Sequence, residues 1–338
     1  MEELDSQDIA QETLAEDVFI APSIHGADIL GGRSYTYHSP IPQAVAHDVS
    51  IECVLGVDEA GRGPVLGPMV YGLLYLPLAS HRSLLADKHH FDDSKVLTPT
   101  FRSYLMEKLC SPGSDLYDQC GWATRVMSAR DISAGMLKLA GTYNLNAQAM
   151  DATIDLIKDV FAQGVNVKEI YIDTIGRPEI YQKKLERIFP TTMITVAKKA
   201  DSLYPCVSAA SVCAKVTRDA ALEVSYQSYA VKAGSDVPAV AAQGWGSGYP
   251  SDARCTTWLK SNIDPLFGWG NECRFSWGTA KDLLDAKGMA AKVDWPEPND
   301  DDHAMRMTDF FNTDTRGEEQ GVTELSSWFG RPVSEEVF

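Results

Sequence analysis

Apolar and polar positions fall into blocks that predict strands first, then strands interleaved with helices. Residues 51–56 (IECVLG) form a short apolar run, and 69–78 (MVYGLLYLPL) are apolar almost throughout, as in a strand buried on both faces. Residues 121–129, 168–176 and 191–201 also read as strands. The helical period appears in 100–110, where Thr98 and Pro99 suit the N-cap and the first helical position. It returns in 146–164, which ends at Gly164, in 178–188, and in 204–230, one face of which is rich in small residues and able to pack closely. A further helix is expected over 256–267 and a last core-like segment over 276–291. This order predicts an α/β fold, three layers around a mixed central sheet, over 50–225, followed by a mainly helical part over 226–293. Residues 1–49 lack periodicity and are expected to be mostly disordered, as is the tail, 294–338.

Charge changes this picture only at the ends. The chain has 338 residues, 44% apolar and 23% charged, enough for one large domain or two small ones. Of its net charge of −17, residues 1–49 contribute nine acids against one base and 294–338 twelve acids against three bases, while 50–293 hold 26 of each. The balanced body leaves a nucleic-acid partner open, because local basic patches decide such binding. No apolar run reaches the roughly eighteen residues of a membrane span, so no membrane partner is expected. The acidic first residues, MEELDSQDIAQETLAEDVF, lack the basic and apolar regions of a secretory signal. Seven cysteines, never spaced C-x-x-C, fit a reducing compartment better than a disulfide framework or a zinc site.

The candidate chemistry lies in carboxylates. Three apolar strands each end in an acid beside Gly or Ala: VLGVDEAG with Asp58 and Glu59, IYIDTIG with Asp173, and TVAKKAD with Asp201. Singly, each has a plain structural reading as turn chemistry, strand end or helix cap. Together, acids at adjacent strand ends can converge on the sheet edge where α/β folds bind ligands. Four close negative charges call for a cation, and an all-oxygen set selects Mg²⁺ or Mn²⁺. Such a site suits two-metal phosphoryl chemistry. Asp58 and Glu59 can share it only where the strand ends or bends, for which Gly61 and Gly63 are placed.

The segments GVDEAGRGPVLGPMVYG, DDSKVLT, ARDISAGM, YNLNAQAMD, YIDTIGRPEIY, KKADSLYPCVSAASVCAKVTRD and GSGYPSD resemble, in order, the catalytic (A) subunits of the eukaryotic type 2 ribonuclease H family. The resemblance runs from about Cys53 to about Lys281, and the DEAGRG block with its downstream DT and AD aspartates is highly specific. It implies a ribonuclease-H-like fold and metal-dependent cleavage of RNA in RNA–DNA hybrids. It further implies nicking 5′ of a single ribonucleotide in duplex DNA, leaving 3′-hydroxyl and 5′-phosphate ends, in replication and repair. By motif, Asp58, Glu59, Asp173 and Asp201 would hold two Mg²⁺ or Mn²⁺ ions. Gly61, Arg62 and Gly63 would read the 2′-hydroxyl largely through the main chain, which glycines let approach a sugar closely. Tyr249 would pack on the sugar at the ribo–deoxy junction. Lys95 and Asn144 match positions near the substrate backbone, and Asp93, Lys215 and Arg218 the supporting shell; Arg218 reads equally well as a structural ion pair. The resemblance also implies a heterotrimer with two non-catalytic subunits, and a nuclear location with the cytoplasm as a second.

The acidic tail holds one more feature, AMRMTDFF, in which Met307, Phe310 and Phe311 resemble the peptide that docks replication proteins on the sliding clamp. The usual first glutamine is Ala304 here. A rival from another class is a catalytically idle scaffold that binds hybrids or the clamp; the four intact carboxylates argue against it.

Overall fold

A computed structural model describes residues 19–91, 97–138, 143–174, 176–233, 244–286, 288, 290 and 291. In chain order the elements are α1 (Gly26–Leu30), β1 (Tyr35–His38), α2 (Gln43–Ala46), β2 (Cys53–Ala60), β3 (Met69–Pro77), α3 (Pro99–Cys110), α4 (Asp115–Gln119) and β4 (Gly121–Met127). They continue with α5 (Ala129–Met136), α6 (Leu145–Ala162), β5 (Val167–Asp173), α7 (Pro178–Ile188), β6 (Met193–Ala197), α8 (Pro205–Ala233), α9 (Ala253–Ser261) and α10 (Gly278–Asp285).

The strands form a six-stranded sheet in the order β1-β4-β3-β2-β5-β6. The first four in that order pair antiparallel, whereas β5 runs parallel to both β2 and β6, so the sheet is mixed. Two apolar layers cover it. On one face, side chains of β2, β3 and β5 pack with Leu156, Val160 and Leu185 of α6 and α7. On the other they meet Leu105 of α3 and Val207, Ala210 and Cys213 of α8. The small face of α8 has the consequence its composition suggests. A Cβ at Gly56 would stand 2.3 Å from the Cys206 carbonyl carbon, and one at Gly72 2.3 Å from the Ala210 carbonyl oxygen, so the helix rests directly on the β2–β3 backbone. A third cluster joins Val65 and Leu66 to Trp245, Trp258 and Trp269.

Two expectations need correction. The segment 1–49 is structured within its described part: β1 is an edge strand, with Tyr35 opposite Val126. Its anchors are side chains, since the Tyr35 hydroxyl donates to the Ser23 carbonyl at 2.8 Å and the Ser34 hydroxyl to Asp131 at 2.6 Å. The division after residue 225 lies inside α8, and the described residues as far as Ala291 cluster as one compact unit. Residues 294–338 lie outside the described residues.

Candidate active site

The parallel pairing of β2 and β5 sets Val57 opposite Ile172, which brings the next residues, Asp58 and Asp173, to one level at neighbouring strand ends. Asp201 arrives from β6 through a tight turn, in which Lys199 takes the left-handed conformation (φ 55°) and Ala200–Ser202 form a single 3₁₀ turn. Asp173 fastens that turn, its Oδ1 accepting from the Ala200 amide at 2.9 Å. Glu59 follows Asp58 within the strand, opposite Tyr71, and Asp58 Oδ1 accepts from the Glu59 amide at 2.8 Å. Asp58 and Asp201 are buried, at 6% and 1% exposure.

Burial pushes the Asp58 carboxyl well above the usual range, and the charges of Asp173 and Asp201 add to it. Glu59 is raised by burial and then by Asp58, with the Arg62 guanidinium opposing. Among the described residues, no three His, Cys, Asp or Glu side chains stand grouped as a formed metal cage. The donor set nevertheless fits a hard divalent cation. It consists of oxygen alone, and its buried charges repel one another until a cation offsets them.

Beside the carboxylates, the loop Gly61-Arg62-Gly63 is held from behind. Arg274 is fully buried and donates to the carbonyls of Gly61 (2.6 Å), Arg62 (3.0 Å) and Gly67 (3.0 Å). The Trp277 indole donates to the Gly63 carbonyl at 3.1 Å, and its ring lies under the Arg274 guanidinium at 4.8 Å. With these carbonyls occupied and Gly61 at φ 77°, a conformation glycine adopts without strain, the loop is fixed in shape. A Cβ at Gly63 would lie 3.2 Å from Tyr249 Cε1, so Tyr249 packs on the loop. Sequence reasoning missed Arg274 and Trp277; the only signal was a charged residue within the aromatic run CRFSW.

The family model described as Ribonuclease HII matches residues 55–280. The chain belongs to this family. The ribonuclease H2 A-subunit of Neurospora crassa is 56% identical over 322 residues, covering 95% of this chain and 97% of that one. The corresponding A-subunit of Homo sapiens is 43% identical over 259 residues, 77% of this chain and 80% of the relative. The crystal structure of the ribonuclease H2 from Pyrococcus horikoshii OT3 aligns with a TM-score of 0.51 at 28% identity, over 69% of this chain and 97% of that one. The chain is thus an enzyme of the ribonuclease H class, a nuclease and hydrolase with the α/β fold expected.

The remaining predicted positions of this ribonuclease H divide four ways. Asn144 caps α6, its Oδ1 accepting from the Asn146 and Ala147 amides, and its neighbour Asn146 receives the Arg62 guanidinium. Arg218 is buried: it pairs with Asp219 at 2.9 Å, donates to the Ser247 carbonyl, and lies 5.9 Å from the Tyr249 ring centroid. It thereby steadies the turn that carries Tyr249. Lys215 is half-buried on α8. Asp93, Lys95, Met307, Phe310 and Phe311 lie outside the described residues.

Proposed function

We propose that the chain cleaves the RNA strand of RNA–DNA hybrids and nicks duplex DNA on the 5′ side of a single ribonucleotide. The observation that carries this reading is the contact of Gly63 with the Tyr249 ring beside the carboxylates. It joins a main-chain reader of the 2′-hydroxyl to an aromatic platform for the adjoining sugar. Asp58, Glu59, Asp173 and Asp201 would hold two Mg²⁺ or Mn²⁺ ions, which when bound supply an activated water and neutralise charge on the leaving oxygen. The protein's own part is to position. The Gly61–Gly63 backbone approaches the ribose, Tyr249 orients the next sugar, and Arg274 and Trp277 keep the loop in register. Water adds to phosphorus, the bond to the upstream 3′-oxygen breaks, and the products are a 3′-hydroxyl and a 5′-phosphate on the ribonucleotide.

The naming of the relatives as A-subunits supports assembly with two non-catalytic subunits. Removal of ribonucleotides and RNA primers is work of replication and repair, which assigns the chain to the nucleus, with the cytoplasm second. A peptide of residues 300–315 tests docking on the sliding clamp; no binding at high micromolar concentration removes that partner.

The deciding assay offers the protein, with its co-purifying subunits, a duplex containing one ribonucleotide in Mg²⁺. Cleavage just 5′ of the ribonucleotide, abolished in Asp58→Asn, is expected; no cleavage overturns the reading. Tyr249→Ala should lose more activity on this substrate than on a long hybrid, because a site built around one hydroxyl discriminates steeply. Equal losses would remove Tyr249 from the filter.

A further inference from the structure

Away from the carboxylates, a groove of about 480 Å³ lies between the first turns of α6 and α7, with Asn146, Asp151, Gly176, Arg177, Tyr181 and Lys184 in its lining. One end is tied to the site already described. Arg62 donates to the Asn146 side chain, and Tyr181 lies in the electrostatic field of Glu59 and Arg62. Arg177 and Lys184 are exposed, and no acid pairs with either among the described residues. The eleven-residue α7 begins at Pro178, with Arg177 in the N-cap position and no capping side chain, which leaves the positive end of its dipole facing the lining. A second and separate observation is Tyr181, 3% exposed, whose buried hydroxyl has Thr153 beside it but makes no hydrogen bond of ordinary geometry.

We infer that this groove holds the phosphodiester backbone of a substrate strand, with Arg177 and Lys184 as its phosphate partners. The inference rests on the nucleic-acid substrate proposed above. The proposed substrate favours a strand over a small anion. Seven residues along α7 separate the two cations by about 10 Å, at a rise of about 1.5 Å per residue. Their long side chains reach phosphates along that interval, and the charges of one strand follow one another at about 3.4 Å of helix axis. Asp151 is the acidic side chain in this lining and opposes the other two.

The test is the salt dependence of duplex binding by the assembled protein, followed by fluorescence anisotropy between 50 and 200 mM salt, on the order of the range where phosphate contacts are read. For Arg177→Ala/Lys184→Ala, the slope of log K against log salt should fall by about 1.8, or about 0.9 for each lost contact. Arg177→Lys/Lys184→Arg should restore it, and Asp151→Asn should tighten binding at low salt. A thermal melt matching that of the parent excludes misfolding as the cause. An unchanged slope in a variant that still cleaves overturns the groove assignment and leaves the ribonuclease reading intact. Failure of the parent protein to bind the duplex overturns the reading beneath it. Inorganic phosphate that competes below millimolar concentration would make the groove a small-anion site and overturn the strand.

Discussion

Arg274 meets three backbone carbonyls from a fully buried position, and only a planar guanidinium offers donors in enough directions to do so. Lysine carries its donors on a single nitrogen and reaches at most one or two of them. Hydrogen bonds to charged groups contribute about 1.5–3 kcal/mol each. Arg274→Lys is therefore expected to cost about 3 kcal/mol or more and to lower the melting temperature by roughly 6 °C or more. Cleavage should suffer beyond the loss of folded protein, because the Gly61–Gly63 loop is released. Activity per folded molecule, measured below the melting transition, checks this; an unimpaired value would mean the loop holds itself. The four carboxylates were legible in the sequence because each closes an apolar run. Arg274 was not, because its partners are carbonyls more than two hundred positions away, and carbonyls leave no trace in side-chain pattern.

Among the elements, α8 shows most clearly how local sequence and tertiary contact share the work. Its small face was readable, but not that its landing sites would be Gly56 and Gly72. Gly56→Ala is expected to destabilise by about 3 kcal/mol or more, since the added methyl would have to displace backbone rather than a flexible side chain. A urea transition at an unchanged midpoint would contradict the close packing. The start of α8 is also sensitive to pH. The His81 ring accepts the Cys206 amide at 3.2 Å, and burial, helped by the Arg82 charge, holds its pKa down to about 4. Because the folded value lies below the unfolded 6.5, the unfolded chain takes up this proton first as pH falls. The contribution is complete above 6.5 and drains away toward pH 4. His81→Gln keeps an acceptor that does not titrate, so the urea midpoint of the variant should fall less between pH 7 and 5. Equal falls would place the acid sensitivity elsewhere. Where caps and periodicity were strong the elements were legible: Thr98 does cap α3, accepting from the Phe101 amide, and Gly164 does follow α6 at φ 83°. Strand β2 runs on through Asp58 and Glu59 to Ala60, past the predicted end, because its ladder to β3 carries residues that read locally as a turn.

At the scale of the whole molecule, acidity is segregated along the chain. The acids in excess lie before residue 50 and after residue 293, while the body between is neutral. Acidic segments of this kind repel a nucleic acid, over a range set by the Debye length of about 10 Å at 0.1 M salt. Removing residues 294–338 is expected to raise duplex affinity several-fold at low salt, with the gain fading as salt is added. A gain that persists at high salt would point to steric masking instead of charge.

The sheet also has a history that its finished form conceals. Of the described strands β1 is made first, yet its partner is β4, with Tyr35 opposite Val126. At about 5–20 residues per second, the ribosome needs roughly 5–18 s to supply that partner. For this interval β1 is an unpaired edge, and at four residues it is a poor template for wrong pairing. Its brevity thus safeguards synthesis, and damage to it would reduce the yield of folded protein while leaving the turnover of each finished molecule intact.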